Sequence, residues 1–130
     1  MTGWATWLAV GVGGALGSVA RHAANRLIHE HWLTTRFPLS TLFVNVTGCF
    51  VIGVLAGAIA AGRIAMSAYW REFVFVGILG GFTTFSTFGL DTLLLVRSHS
   101  AGYAALNVGG QVAGGLLAVW LGYQLGLAKT

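Results

Sequence analysis

Charged residues are so thinly spread along this chain that a folded surface in water could not be built from them. Asp, Glu, Lys and Arg together make up 8% of the 130 residues, where an average soluble domain carries about 25%. Four long apolar runs lie between them, at residues 4–25, 39–61, 72–96 and 102–127. A helix that crosses a bilayer needs about 20 mostly apolar residues, so each run is predicted to be a spanning helix. The fold class is therefore an all-α membrane protein, with one four-helix transmembrane domain over residues 1–130. Trp4, Trp7, Trp32, Tyr69, Trp70, Tyr103 and Tyr123 fall near the ends of the runs, where amphipathic rings anchor spans at the interface. The first run has no basic leader, which predicts a retained span rather than a cleaved signal peptide.

Four spans place both termini on one side of the membrane. That side, with the loop between the second and third spans, holds Arg63, Arg71 and Lys129; the other holds Arg26, Arg36 and Arg97. Cytoplasmic loops carry the excess of Lys and Arg, and here three face three, with Arg21 near a boundary. Two readings stay open: span boundaries displaced by a few residues, or insertion in both orientations, which permits an antiparallel homodimer. The scattered arginines form no basic patch, so the net charge of +4 does not point to nucleic acid.

Small residues recur every four positions. Gly13 and Gly17 do so on the first span, Cys49, Gly53, Gly57 and Ala61 on the second, and Gly110, Gly114, Ala118, Gly122 and Gly126 on the fourth. Such stripes let helix backbones approach closely in lipid and predict a packed bundle.

Enzyme signatures do not emerge. His29-Glu30-His31 lacks helical zinc spacing and reads as a solvated loop. Gly11-Val-Gly-Gly14 follows no strand, so it is no nucleotide loop. Asn45-Val-Thr47 matches a glycosylation sequon but lies within a span. Cys49 is the single cysteine, so there is no disulfide framework. The intramembrane polar set is mostly neutral instead: Thr41, Asn45 and Thr47; Thr83, Thr84, Ser86 and Thr87; Asn107 and Gln111. Thr47 and Thr84 are expected to bond to their own helices, and Phe82 and Thr84 to serve packing. Asn45, Asn107 and Gln111 carry amide donors that need partners. Asp91 and Arg21 are the ionisable residues inside spans, which makes each a functional candidate.

The third span contains Gly80-Gly-Phe-Thr-Thr-Phe-Ser-Thr-Phe-Gly89. Two glycines weaken a helix by about 1 kcal/mol each, and hydroxyl side chains compete for backbone bonds. The stretch predicts a broken helix, which is tolerated at membrane depth only against protein or a cavity. Freed carbonyls suit a cation, and half-helix N-termini suit an anion. Phe85 and Phe88, three apart, share a face once the helix resumes, and their ring edges are electropositive.

This stretch, with Thr41-Leu-Phe-Val-Asn-Val-Thr-Gly48 and Gly13-Gly-Ala-Leu-Gly-Ser-Val-Ala-Arg21 before it, resembles the Fluc/CrcB family of fluoride channels over essentially the whole chain. The resemblance implies an antiparallel, dual-topology homodimer with two fluoride pathways in a bacterial cytoplasmic (inner) membrane. It implies a sodium ion at the dimer centre, held by the backbone carbonyls of Gly80 and Thr83. The fluoride pathway would run past Phe85, Phe88 and Asn45. Thr41, the hydroxyls of Ser86 and Thr87, and Asn107 and Gln111 would complete it, with Arg21 and Asp91 at the vestibule. Flow would be passive and would let out fluoride that enters as membrane-permeant HF. Alternatives are a proton-coupled exporter of ions or drugs, which needs a titrating carboxylate, and a non-transporting scaffold, which the small-residue stripes alone would allow. The first span lacks the carboxylate that small four-helix drug exporters use.

Overall fold

The structure, a computed structural model, describes residues 3–31 and 36–128. Trp32 and Lys129, counted above as a span-end aromatic and a terminal charge, lie outside the described residues. All regular elements among the described residues are helical.

Helix α1, Trp4–His31, runs 28 residues without a break, about 42 Å at ~1.5 Å per residue. It continues past the expected end at Asn25. Arg26 and Glu30 pair one turn apart at 2.8 Å, and ring nitrogens of His29 and His31 lie 2.8 Å from the carbonyls of Asn25 and Leu27. The His29–His31 segment is thus helical and exposed, not the loop its polarity suggested.

Helix α2, Leu39–Ala60, starts behind Pro38, whose missing N–H costs nothing at a helix entry. It stops at Gly62, which takes φ +70°. The Arg63 amide then donates back to the Ala58 carbonyl at 2.9 Å, closing the helix end with a left-handed glycine.

The third span is two helices. Helix α3, residues 68–82, includes the π-wound segment Glu72–Leu79, and helix α4 is Phe85–Arg97. Helix α5, Ala101–Leu127, includes a π-wound turn at Gly110–Gly114. Among the described residues, three units are long and apolar enough to cross a membrane: Leu39–Ala60, Ala68–Arg97 and Ala101–Leu127. The sequence predicted four; α1 has the length, but its glycines, tryptophans and Arg21 dilute its apolar character.

Packing follows the glycines. A Cβ on Gly13 would meet the Phe73 carbonyl, and one on Gly17 would meet the Ile78 carbonyl, so α1 lies backbone to backbone on α3. Gly77 and Gly81 face Gly13 and Gly14 across that crossing. Gly53 and Gly57 face the Val119 and Tyr123 carbonyls, and Gly122 and Gly126 face those of Phe50 and Val54, so α2 and α5 form the second tight pair. Gly110 and Gly114, in the same sequence stripe, sit more loosely, against the side chains of Leu42 and Val46. Contact this close takes the place of a hydrophobic drive, which lipid cannot supply. The buried core is accordingly small, with Ala9, Val44, Ala58 and Ala118 among its members, while large apolar residues such as Trp7, Leu16, Val76 and Leu116 point outward.

Candidate functional site

The helix break falls on the threonines, not on the glycines. Gly80 is helical, with φ −63° and ψ −37°. Thr83 (φ −87°, ψ 162°) and Thr84 (φ −152°, ψ 120°) are extended. Glycine weakens a helix without ending it; here threonine backbone groups find better partners elsewhere.

Those partners account for all four backbone groups of the two extended residues. The Thr83 amide still donates to the Leu79 carbonyl at 3.0 Å. The Thr83 carbonyl accepts from Arg21 Nη1 at 3.1 Å. The Thr84 amide donates to Asn45 Oδ1 at 2.8 Å, and the Thr84 carbonyl accepts from Asn45 Nδ2 at 2.9 Å. Asn45 on α2 therefore binds Thr84 as a neighbouring strand would. An unbroken helix would have sent the Thr84 amide to the Gly80 carbonyl; its diversion to Asn45 frees that carbonyl.

Thr84 also starts the next helix. Its Oγ1 accepts from the Thr87 amide at 3.2 Å, an N-cap arrangement, and donates to the Thr87 hydroxyl oxygen at 3.1 Å. The expected bond to its own helix is present, and the residue does more than pack.

Asn45 extends the network to α5. Its Nδ2 also donates to Gln111 Oε1 at 2.9 Å, so both of its N–H donors are engaged. The order cannot be reversed, because the Thr84 amide can only donate and so fixes Oδ1 of Asn45. That in turn fixes Gln111 Oε1 as the acceptor. Gln111 Nε2 is left buried with no partner. Asn107, fully buried, donates through Nδ2 to Thr92 Oγ1 at 2.9 Å, and Thr92 donates to the Phe88 carbonyl at 2.8 Å. Its Oδ1 is buried and unpartnered.

Phe85 and Phe88 do share a face, with ring centroids 5.4 Å apart in an edge-on arrangement at 66°. They line a cavity of about 260 Å³ with Asn45, Cys49, Thr83, Thr84, Gln111 and Val112. No charged side chain lines it. Phe85 is 82% exposed, and Ser86 and Thr87 are exposed beside it. Thr41 precedes Asn45 by one turn of α2, and Asp91 follows Phe88 by one turn of α4. Thr41 is 4% exposed and donates to Asp91 Oδ2 at 2.7 Å, which joins α2 to α4.

The structure thus brings Asn45, Gln111, Phe85 and Phe88 together, pairs Thr41 with Asp91, and sets Arg21 against the Thr83 carbonyl. Sequence reasoning missed Thr92, the capping role of Thr84, and a glycine stripe at Gly77 and Gly81. Thr92, one turn after Phe88, relays Asn107 to the backbone. Thr84 caps a helix, legible as a hydroxyl residue directly before the resumed apolar periodicity. Gly77 and Gly81 form a second stripe that the more obvious glycine pair at 80–81 obscured.

Residues 8–123 match the model of a protein family described as CrcB-like protein, Camphor Resistance (CrcB). The chain belongs to the CrcB family. Its CrcB relatives include a protein of Methylobacillus flagellatus, 46% identical over 116 residues that span 89% of this chain and 90% of the relative. Another, from Opitutus terrae, is 49% identical over 118 residues, 90% and 89% of the two chains. A third, from Acidobacterium capsulatum, is 44% identical over 120 residues, 92% and 94% of the two. Each of these relatives bears the name fluoride-specific ion channel FluC. CrcB membership and three long apolar helices together make this a multi-pass membrane protein.

Proposed function

We propose that this chain is a fluoride-selective channel that lets cytoplasmic fluoride flow out passively and so confers fluoride resistance on a bacterial cell. The observation that carries the reading is the cavity at the helix break. It offers neutral N–H donors and aromatic edges, and no charged side chain lines it. Fluoride is small, strongly hydrated and a strong hydrogen-bond acceptor. Amide donors and ring edges replace part of its water without holding it as tightly as a fixed charge would. Chloride accepts weaker hydrogen bonds, so the same donors offset less of its dehydration. The names of the relatives agree with this choice of ion.

In this reading the pathway passes Phe85, Phe88, Asn45 and Gln111, with the exposed hydroxyls of Ser86 and Thr87 on its open side. Asn107 holds the Phe88 turn through Thr92 and has a further N–H to offer. Thr41 orients Asp91 at the pathway mouth, and Arg21 draws anions toward the break. Phe85 and two hydroxyls are exposed in the middle of an apolar span, which lipid does not satisfy. A second, antiparallel copy would cover them, and the balanced arginine count supports insertion both ways.

The resemblance also implies a sodium ion between the two copies. The donor set suits one: the freed Gly80 carbonyl is a hard oxygen ligand, as such cations prefer. The Thr83 carbonyl accepts from Arg21 and keeps a second lone pair. Such an ion would supply a fixed positive charge that joins two broken helices.

The test is efflux from proteoliposomes followed with a fluoride electrode beside a chloride control. Fluoride efflux without matching chloride efflux is expected. No fluoride flux, or equal chloride flux, would overturn the reading. Alanine at both Phe85 and Phe88 should abolish the flux while the protein stays folded.

A further inference from the structure

We infer that Asn45 is a positioning residue, not an ion ligand, and that it acts by turning the Gln111 amide so that Gln111 Nε2 is the donor presented to fluoride. The inference rests on the proposed channel function and names which amide at the shared site meets the ion. Asn45 has two N–H donors, and both are engaged, one on the Thr84 carbonyl and one on Gln111 Oε1. Its oxygen is engaged by the Thr84 amide. Binding an ion through Asn45 would break one of these bonds and leave a backbone carbonyl or a side-chain oxygen without its partner, at a cost in a water-poor site.

Gln111 is in the opposite situation. It is 9% exposed, it lines the cavity with Phe85 and Phe88, and its Nε2 is buried with no partner. A buried donor without an acceptor is costly, and a small anion in the cavity would satisfy it. The direction of the amide is inherited. The backbone amide of Thr84 sets Asn45, and Asn45 sets Gln111. The extended threonine at the helix break therefore decides, through two side chains, whether the cavity meets an N–H or a carbonyl oxygen. An anion is attracted by the first and repelled by the second.

Asn45→Asp removes the N–H that holds Gln111 Oε1 but also sets a negative charge beside the anion, so it tests the relay together with the wild-type titration and not alone. The introduced carboxylate still accepts the Thr84 amide, but it has no N–H for Gln111. The Gln111 amide then reverses to donate to that carboxylate, and its oxygen faces the cavity.

The chain contains two glutamines, Gln111 and Gln124, and three asparagines, Asn25, Asn45 and Asn107. Residue-selective ¹⁵N labelling of the full chain in detergent therefore resolves each side-chain amide, with Gln111→Glu and Asn45→Asp giving the assignments. The probe is sodium fluoride, with sodium chloride as control. Fluoride should shift the Gln111 amide while the Asn45 amide stays put and chloride moves neither. In folded, monodisperse Asn45→Asp protein the Gln111 response should weaken by on the order of tenfold or more, the loss of a hydrogen bond to a charged group. A fluoride shift at Asn45 with none at Gln111 would overturn the inference, and so would an unchanged Gln111 response in Asn45→Asp. The wild-type titration decides without any variant. Wild-type protein that conducts fluoride with a silent Gln111 amide sinks this inference alone; absence of conduction sinks the channel reading itself.

Discussion

Thr84 shows how much one hydroxyl residue can organise. Its amide and carbonyl are held by Asn45, and its hydroxyl accepts from the Thr87 amide. Alanine at this position keeps the backbone groups but loses the cap. Thr84→Ala should lower stability by about 1 kcal/mol, read as an earlier thermal transition in detergent, and Thr84→Ser should restore most of it. Equal loss in both variants would mean that the methyl group, not the hydroxyl, matters here. The Thr41–Asp91 bond makes a similar case. Thr41 is almost wholly buried, and its hydroxyl reaches the carboxylate at 2.7 Å. Thr41→Val keeps the shape and removes the donor. In the proposed pathway Asp91 stands at the mouth, so fluoride flux in liposomes should fall while the protein still folds; unchanged flux would remove Thr41 from the pathway.

At the scale of helices, the glycine crossings decide what tolerates change. A Cβ on Gly57 would run into the Tyr123 carbonyl of α5, whereas Gly11 has nothing within 4 Å. Gly57→Leu must push α2 and α5 apart and should lower the melting temperature on the order of 5 °C. Gly11→Ala on open helix surface should leave it unchanged or raise it, since alanine favours a helix by about 1 kcal/mol over glycine. Equal melting temperatures for the two variants would mean that the close crossing contributes nothing. The fourth-span stripe was legible as a pattern, but its two halves differ in tightness. Gly122 and Gly126 meet backbone, while Gly110 and Gly114 meet movable side chains. Spacing alone cannot separate these cases, because the partner's register against the stripe is a tertiary fact.

Across the whole molecule, Phe85, Ser86 and Thr87 stay exposed. Arg63 Nη1 donates to the Gly126 and Ala128 carbonyls at 3.3 and 2.7 Å. The loop between α2 and α3 therefore clasps the end of α5, where a cation suits the helix dipole, and both belong to one face of the bundle. The sequence divides its arginines and lysines three against three, with Arg21 near a boundary, so the charge count does not orient the chain. In an antiparallel dimer, a membrane-impermeant thiol reagent applied to intact cells should label about half of Gly102→Cys chains in a Cys49→Ala background. Labelling of all chains, or of none, would exclude the dual orientation.

Local physics was enough to make this chain an all-helical membrane protein, to place its helix ends to within four residues except at α1, which runs six residues past Asn25, and to interrupt its third span. Apolar length, proline and glycine at helix ends, and hydroxyls that compete for backbone bonds all act between near neighbours in the chain. Residues 13–21, 41–48 and 80–88 carry the family resemblance in the sequence alone. Packing between distant segments was needed to put the interruption on Thr83 and Thr84 rather than on Gly80 and Gly81. It was needed again to saturate Asn45 and leave Gln111 with a spare donor. Both outcomes depend on which side chains from α1, α2 and α5 reach the break. A hydrogen bond across 39 or 66 residues of chain, as Asn45 makes to Thr84 and to Gln111, leaves no trace in local spacing.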